Sequence, residues 1–358
     1  MEKRIAIKIG SNVLTAQEGG LDLVRIKQLV SQVSSLHRQG FEVIMISSGA
    51  VAAGRSLISD NKLDAVSARQ LFSAIGQAKL INHYHEFFKE EGLVCGQVLT
   101  TKESLSTRSH YLNQRNCIEV MLQHSVIPIV NENDTISVTE LMFTDNDELS
   151  GMVATMMDAE KLIILSNIDG IYNGNPSDPS SSVIREVYPG KRDLSNYIQS
   201  SKSSFGRGGM HTKTNIASKV ADEGLEVIIA NGKTNDILLK LLTTNEDIVC
   251  TRFLPSEAPA TSIKKWIAHS DGFARGIVTV NEGAKQALLD EDSASSVLFV
   301  GVVNVEGDFE KDDIVKVVDE EGKQLGVGKV QFKYEDAKKL IGKKGKRPII
   351  HHDYLYLF

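Results

Sequence analysis

Over its first 250 residues the chain alternates short, nearly unbroken apolar runs with longer segments of helical periodicity. Ile5-Ala6-Ile7-Lys8-Ile9 is followed by Leu23, Ile26, Leu29, Val30, Val33 and Leu36, spaced for one helix face and closed by Gly40. Val43–Ile46 comes next, then a long helical pattern over about 65–91, a strand pattern at Leu93–Leu99, a helix near 109–123 and Val126–Val130. The same order continues through 146–157, Lys161–Leu165, 209–223 and Val227–Ala230. Strands that are apolar on both faces need cover on both faces, and the intervening helices supply it. The pattern predicts an α/β domain built on a mostly parallel central sheet. Such sheets carry their sites at the carboxyl ends of the strands.

The pattern changes near Pro255–Pro259. Residues 275–358 read as a small β-rich unit, with strands at Ile277–Val280, Val300–Val303, Ile314–Val318 and Gly326–Val330 and helices at 282–289 and 334–340. The predicted division is an α/β domain at 1–255, a linker at 256–274 and a β-rich domain at 275–358. Two domains suit a length of 358 residues. The segment 173–207, rich in Asn, Ser, Gly and Pro, reads as a long mobile excursion and a candidate lid. A net charge of −6 argues against a chain that coats nucleic acid through bulk charge. No apolar run reaches the ~18 residues of a membrane span, and Met1–Lys8 lacks a signal-peptide pattern, so a cytoplasmic protein without a membrane partner is expected. Cys95, Cys117 and Cys250 are scattered and read as reduced thiols.

Four strand ends carry small or polar residues. Lys8-Ile9-Gly10-Ser11-Asn12 puts a lysine in an apolar strand, where burying an unpaired ammonium is costly. It is either a solvated edge strand or an anion site in which lysine and backbone N–H groups meet phosphate. Ser47-Ser48-Gly49-Ala50-Val51-Ala52-Ala53-Gly54 permits close approach, by a ligand or by a packed neighbour. Asn131-Glu132-Asn133-Asp134 ends an apolar strand with four polar residues, more than a turn explains. The acids of Asp145-Asn146-Asp147-Glu148 are either helix caps or partners for lysine or a substrate ammonium. Gly206-Arg207-Gly208-Gly209-Met210-His211-Thr212-Lys213 leads into a helix as a phosphate cradle does, though it is no Walker P-loop. Gly232-Lys233-Thr234 also fails that pattern. His351-His352-Asp353 is discounted as a metal site because adjacent residues of a strand point to opposite faces.

In order and type, the runs Lys8–Thr15, Ser47–Gly54, Val130–Asp134, Asp145–Asp147 and Gly208–Lys213 resemble the motifs of the amino acid kinase family. The likeness covers about 1–255. It is strongest to the members that phosphorylate the side-chain carboxylate of L-glutamate, the first step of proline biosynthesis. The Asn-Glu-Asn-Asp and Asp-Asn-Asp runs are the most specific to that branch. Residues 275–358 resemble a PUA domain, a β-rich module appended to bacterial enzymes of this branch and also found in RNA-modifying enzymes.

The resemblance implies ATP with Mg²⁺, L-glutamate as acceptor, and γ-glutamyl phosphate and ADP as products. A glutamate carboxyl, with a pKa of about 4.3, is already ionised near neutral pH, so no general base is needed. What is needed is positive charge and N–H donors against two mutually repelling anions. By resemblance, Lys8 and Lys213 stabilise the phosphoryl group in flight and Asp147 holds both lysines. Ser48, Asp134 and Asn146 contact glutamate, Asp134 through the α-ammonium. Lys8, Ser166, Asn167, Arg207, Gly208, Gly209, Met210, His211, Thr212 and Lys213 contact the nucleotide, with Asn167 standing where many relatives carry aspartate. Mg²⁺ is expected on the ATP phosphates, with no protein metal ligand named. Feedback inhibition by proline and a homo-oligomer are further expectations. The alternatives are another acyl-phosphate-forming amino acid kinase, or RNA binding through 275–358. There Lys338, Lys339, Lys343, Lys344, Lys346 and Arg347 cluster, although 13 basic residues face 15 acidic ones.

Overall fold

A computed structural model describes residues 3–58, 63–105, 107–137, 146–176, 178–189, 194, 210–257, 266–267, 270–290 and 295–358. The chain divides into two compact units, Met1–Pro259 and Ala260–Phe358.

The first unit is built on strands β1 (Lys3–Ile9), β2 (Phe41–Ser47), β3 (Val94–Thr100), β4 (Val126–Glu132), β5 (Lys161–Ser166), β6 (Glu186–Val187), β7 (Glu226–Asn231) and β8 (Thr251–Phe253). They form one sheet in the order β3-β4-β2-β1-β5-β7-β8-β6. Every pairing from β3 through β7 is parallel, β8 runs antiparallel to β7, and β6 lies parallel to β8. From β1 the chain adds β2, goes out to the edge at β3 and returns to place β4 between β3 and β2, then crosses to β5 on the other side of β1. In sheets with such a reversal, ligands bind at the carboxyl ends of the strands that flank it; here these are β1 and β5.

Helices α1 (Ser11–Leu14), α2 (Leu23–Arg38), α3 (Ala50–Arg55), α4 (Ala65–Glu90), α5 (Arg108–Gln123), α6 (Asn146–Met156), α7 (Met210–Asp222) and α8 (Ile237–Thr243) connect the strands. Asp22, Asp64 and Thr107 cap α2, α4 and α5 by accepting from first-turn N–H groups. The period of two along β1 decides which side chains meet which layer. Ile5, Ile7 and Ile9 face the core shared with Ile26, Leu29 and Val33 of α2, Leu80 and Tyr84 of α4, and Ile237 of α8. On the other face, Arg4 pairs with Glu119 of α5 and Lys8 with Asp147 of α6. The strand register thus places a lysine, not an isoleucine, at the ligand-facing end of that layer.

The mostly parallel sheet predicted from the alternation is present. The elements that sequence periodicity leaves out are short: α1, α3, α8, β6 and β8. Part of the expected excursion is also ordered into the sheet. Tyr172 bridges Val183, Asn173 and Ser182 bond reciprocally, and β6 joins β8. Of that segment, 177, 190–193 and 195–207 lie outside the described residues.

The second unit holds β9 (Gly276–Val280), β10 (Val302–Gly307), β11 (Ile314–Val318), β12 (Gln324–Val330) and β13 (Ile350–Leu357), in the order β10-β9-β11-β12-β13. β9 and β11 are parallel and the other pairings antiparallel. Its core is Val278, Val280, Phe299, Phe309, Val315, Val317 and Ile350. The strand expected at Val300–Val303 starts instead at Val302, because Phe299–Gly301 forms a 3-10 turn. β13 is unmarked in sequence because polar residues interrupt it. Its His351 and His352 do not diverge as an ideal pleat requires: their ring centroids lie 4.2 Å apart. With Asp353 they form the one cluster of metal-ligating atoms among the described residues, all within 4.8 Å. No helix among the described residues is long and apolar enough to cross a membrane.

Candidate active site

β1 lies between β2 and β5, with Lys8 in register with Ile46 and Ile164. Lys8 is therefore interior, 5% exposed, and the solvated-edge alternative fails. A buried ammonium needs a counter-charge. Asp147, in the first turn of α6 and fully buried, supplies it. Lys8 Nζ lies 2.5 Å from Asp147 Oδ1, and Lys213 Nζ, one turn into α7, lies 2.8 Å from Oδ2. Asp147 is thus a partner for lysine. One carboxylate joins two ammonium groups from two elements and leaves the trio with one net positive charge.

Burial alone pushes the Asp147 carboxyl up, but Lys8 and then Lys213 outweigh it and hold it down at about 2. An ordinary carboxyl takes its proton near pH 4. The stability tied to this ionised group is therefore present above about pH 4 and lost as pH falls toward 2. Melting temperatures measured from pH 5 to 2.5 should fall more steeply for the native chain than for Asp147→Asn. Equal slopes would contradict the assignment.

Gly10 follows β1 with its N–H bonded to Leu165 O at 3.0 Å. That N–H is committed to the sheet and does not cradle an anion. A Cβ at residue 10 would stand 3.1 Å from the same oxygen and 3.7 Å from Lys8 Nζ, so glycine keeps the ammonium uncovered. After β2, Gly49 adopts φ +106° and starts α3, where a side chain would strain the backbone. Gly54 meets a packed neighbour: α3 lies directly on α4 through Gly54 and Gly76.

A second polar corner surrounds the ends of β2 and β4. Asn146 Nδ2 donates to Ser48 Oγ at 3.0 Å, to Ser47 O at 3.2 Å and to Asn131 Oδ1 at 2.9 Å. Asn131 Nδ2 donates to Gln77 Oε1 at 2.8 Å. Asn131 and Glu132 belong to β4 rather than to the loop after it, so their side chains are fixed by the sheet. Asp134 follows, 8% exposed, and is gripped by Arg69 of α4. Lys102 Nζ pairs with Glu148 Oε1 at 3.1 Å beside Asp147.

The sequence model of the amino acid kinase family matches residues 3–231. The chain belongs to the amino acid kinase family. A PUA domain model matches residues 276–352. The chain is 63% identical over 355 residues to a protein of Bacteroides thetaiotaomicron named glutamate 5-kinase, covering 99% of this chain and 98% of the relative. A glutamate 5-kinase of Chlorobaculum tepidum is 44% identical over 360 residues, covering 99% and 97%. A solved UMP kinase of Bacillus anthracis superposes with a TM-score of 0.51 at 15% identity, over 72% of this chain and 97% of that one; the two share the fold.

In this amino acid kinase, Lys8, Asp147 and Lys213 converge on one point, and Ser48 and Asn146 meet at another on the same α6 terminus. Ser166 is buried at the carboxyl end of β5, and Asn167 beside it is exposed. Met210, His211 and Thr212 share the first turn of α7 with Lys213. Arg207, Gly208, Gly209 and Asp145 lie outside the described residues. The motifs do not include Arg69 or Gln77, and they give Asn131 no role of its own although it opens the Asn-Glu-Asn-Asp run. Asn131 was visible as a polar residue closing an apolar strand. Arg69 and Gln77 sit within the regular helical pattern of α4, and nothing local separates them from solvated positions.

Proposed function

We propose that this chain is a glutamate 5-kinase: it transfers the γ-phosphoryl group of ATP to the side-chain carboxylate of L-glutamate. The observation that carries the mechanism is the buried Lys8–Asp147–Lys213 trio. The acceptor is already an anion, so the barrier is electrostatic rather than one of proton removal. Two lysines held by one carboxylate present fixed positive charge to the phosphoryl oxygens without reorganising during transfer. Asp147 keeps them from repelling each other while leaving one net positive charge. Lys8 comes from the central strand and Lys213 from the helix after the glycine-rich run, so they meet the transferring group from two directions.

Glutamate occupies the corner of Ser48, Asn146 and Asp134. Ser48 and Asn146 supply neutral hydrogen bonds. Asp134 supplies the charge for the α-ammonium. Ser166, Asn167 and the run 207–213 hold the nucleotide. Kinases of this family use a divalent cation, which we propose is Mg²⁺. Asp147 has both oxygens engaged by lysines and is ill suited to ligate it. The cation rides on the ATP phosphates and neutralises their charge.

A panel of L-glutamate, L-aspartate, N-acetyl-L-glutamate and UMP with Mg-ATP, read as ADP release, tests the acceptor. L-Glutamate should exceed the others in kcat/KM by at least roughly 100-fold, because a site built to pair an ammonium rejects analogues that lack or misplace it. Equal use of aspartate, or use of UMP, would overturn the reading. We further propose a cytoplasmic homo-oligomer with catalytic and PUA units divided as 1–255 and 275–358. Proline, which shares glutamate's α-carboxylate and ammonium, inhibits it by overlapping the Asp134 corner. Competition between proline and glutamate in the same assay tests that overlap. RNA contact through the basic cluster of 338–347 remains the second reading, tested by a salt-dependent RNA shift.

A further inference from the structure

Three charged side chains outside the Lys8–Asp147–Lys213 trio meet beside the glutamate corner. Arg69 Nε donates to Asp134 Oδ1 at 2.9 Å and its Nη2 reaches the same oxygen. Nη2 also donates to Glu132 Oε2 at 3.2 Å. Glu132 Oε1 accepts from Ser137 Oγ at 2.7 Å. The side chains of Glu132 and Asp134 are only 3% and 9% exposed, and that of Arg69 21%. The acids are thus held in a dry setting, and the arginine spans them. Gln70, next along α4, donates to Thr135 O at 2.8 Å and ties the helix to the same loop.

Without a cation this corner would bury two carboxylates at close range, and they would repel each other. It would also offer two negative charges to a substrate group carrying one positive charge. Arg69 removes both problems. Its planar fork reaches two carboxylates at once, which a lysine ammonium does less well. Among the described residues both Arg69 contacts with Asp134 fall on Oδ1 and none falls on Oδ2. One oxygen is anchored and the other is left for a ligand.

We propose that Arg69 is a positioning residue for substrate recognition: it clamps Glu132 and Asp134 so that Asp134 presents one oriented carboxylate oxygen, and one net negative charge, to the α-ammonium of the amino acid substrate. The proposal rests on the glutamate 5-kinase reading. Arg69 does not contact the reacting atoms, so it sets KM and substrate choice rather than kcat.

A double-mutant cycle on the full-length chain tests this. Arg69→Gln should raise the glutamate KM by roughly 10- to 100-fold, the loss expected for a charge-assisted contact, with kcat changed less than about threefold. Arg69→Lys keeps the charge but not the fork and should fall between the two. In an Asp134→Asn background, Arg69→Gln should add less than about threefold, because its partner is already altered. Glutarate, which has both carboxylates but no ammonium, should inhibit native enzyme and Arg69→Gln with similar constants. Three results would overturn the proposal: full multiplicative effects in the cycle, a fall in kcat at constant KM, or an equal loss for glutarate. The last would assign Arg69 to a substrate carboxylate. If Arg69→Gln does not fold, Arg69→Lys in the two backgrounds decides the question by the same criteria. Native enzyme that shows no glutamate-dependent turnover fails at the earlier step, and the underlying reading falls with it.

Discussion

Lys213→Ala is expected to lower kcat by about 10²- to 10³-fold, the range seen when one donor aimed at developing charge is removed. The glutamate KM should move only a few-fold, because Lys213 is placed at the transferring group and not at the Ser48–Asn146–Asp134 corner. Stability should change little. Asp147 keeps Lys8 as its partner, and the pair that remains is neutral. Lys8→Ala should match in kcat but lose more stability, since Lys8 lies within the central strand and its removal opens a space there. The two effects should not add, because both lysines serve one group through one carboxylate. A kcat loss in Lys213→Ala no larger than the change in folded fraction, measured by thermal melt, would show that the trio is a structural ion pair only.

The second large effect is steric. A Cβ at Gly76 would lie 1.8 Å from Ala50 O, 2.5 Å from Gly54 N and 2.8 Å from Ala50 C. A Cβ at Gly54 would lie 1.9 Å from Phe72 O. These neighbours are backbone atoms and cannot turn aside, so α3 and α4 must separate. Overpacking of this kind costs about 3 kcal/mol or more, and Gly76→Ala should lower the melting temperature of the first unit by on the order of 10 °C. Separation would also move Ser48, which directly precedes Gly49 and α3, so the glutamate KM should rise. Gly283→Ala is the control. It lies in the helix Glu282–Leu289, where a Cβ meets nothing nearer than Asn281 Oδ1 at 3.7 Å. Relief of glycine's backbone entropy should make that variant neutral or slightly more stable. A fully stable Gly76→Ala would contradict the contact.

The architecture of the first unit was legible because its signals are long. Five apolar runs and the helices between them mark β1, β2, β4, β5 and β7, and their alternation dictates a parallel sheet with sites at the carboxyl ends. Lys8 stood out as a charge inside such a run. What periodicity misses is set by tertiary contact. α3 is made of Ala, Val and Gly and exists because α4 presses on it through Gly54 and Gly76. β6 has two residues and is a strand only because β8 lies beside it. Arg69 shows the same limit at the site. On its own helix it is one polar residue among several, and only the folded loop after β4 turns it into the partner of two buried acids. His351 and His352 show that an ideal pleat is a poor guide where β13 slips register against β12.

The account stands most directly on the product formed from glutamate. Native protein incubated with Mg-ATP, L-glutamate and hydroxylamine should release ADP and trap γ-glutamyl hydroxamate in equal amounts, both slowed by roughly 100-fold or more in Lys213→Ala protein that melts normally. ADP release that does not depend on glutamate, or glutamate-dependent turnover in Lys213→Ala that stays near the native rate, would contradict it.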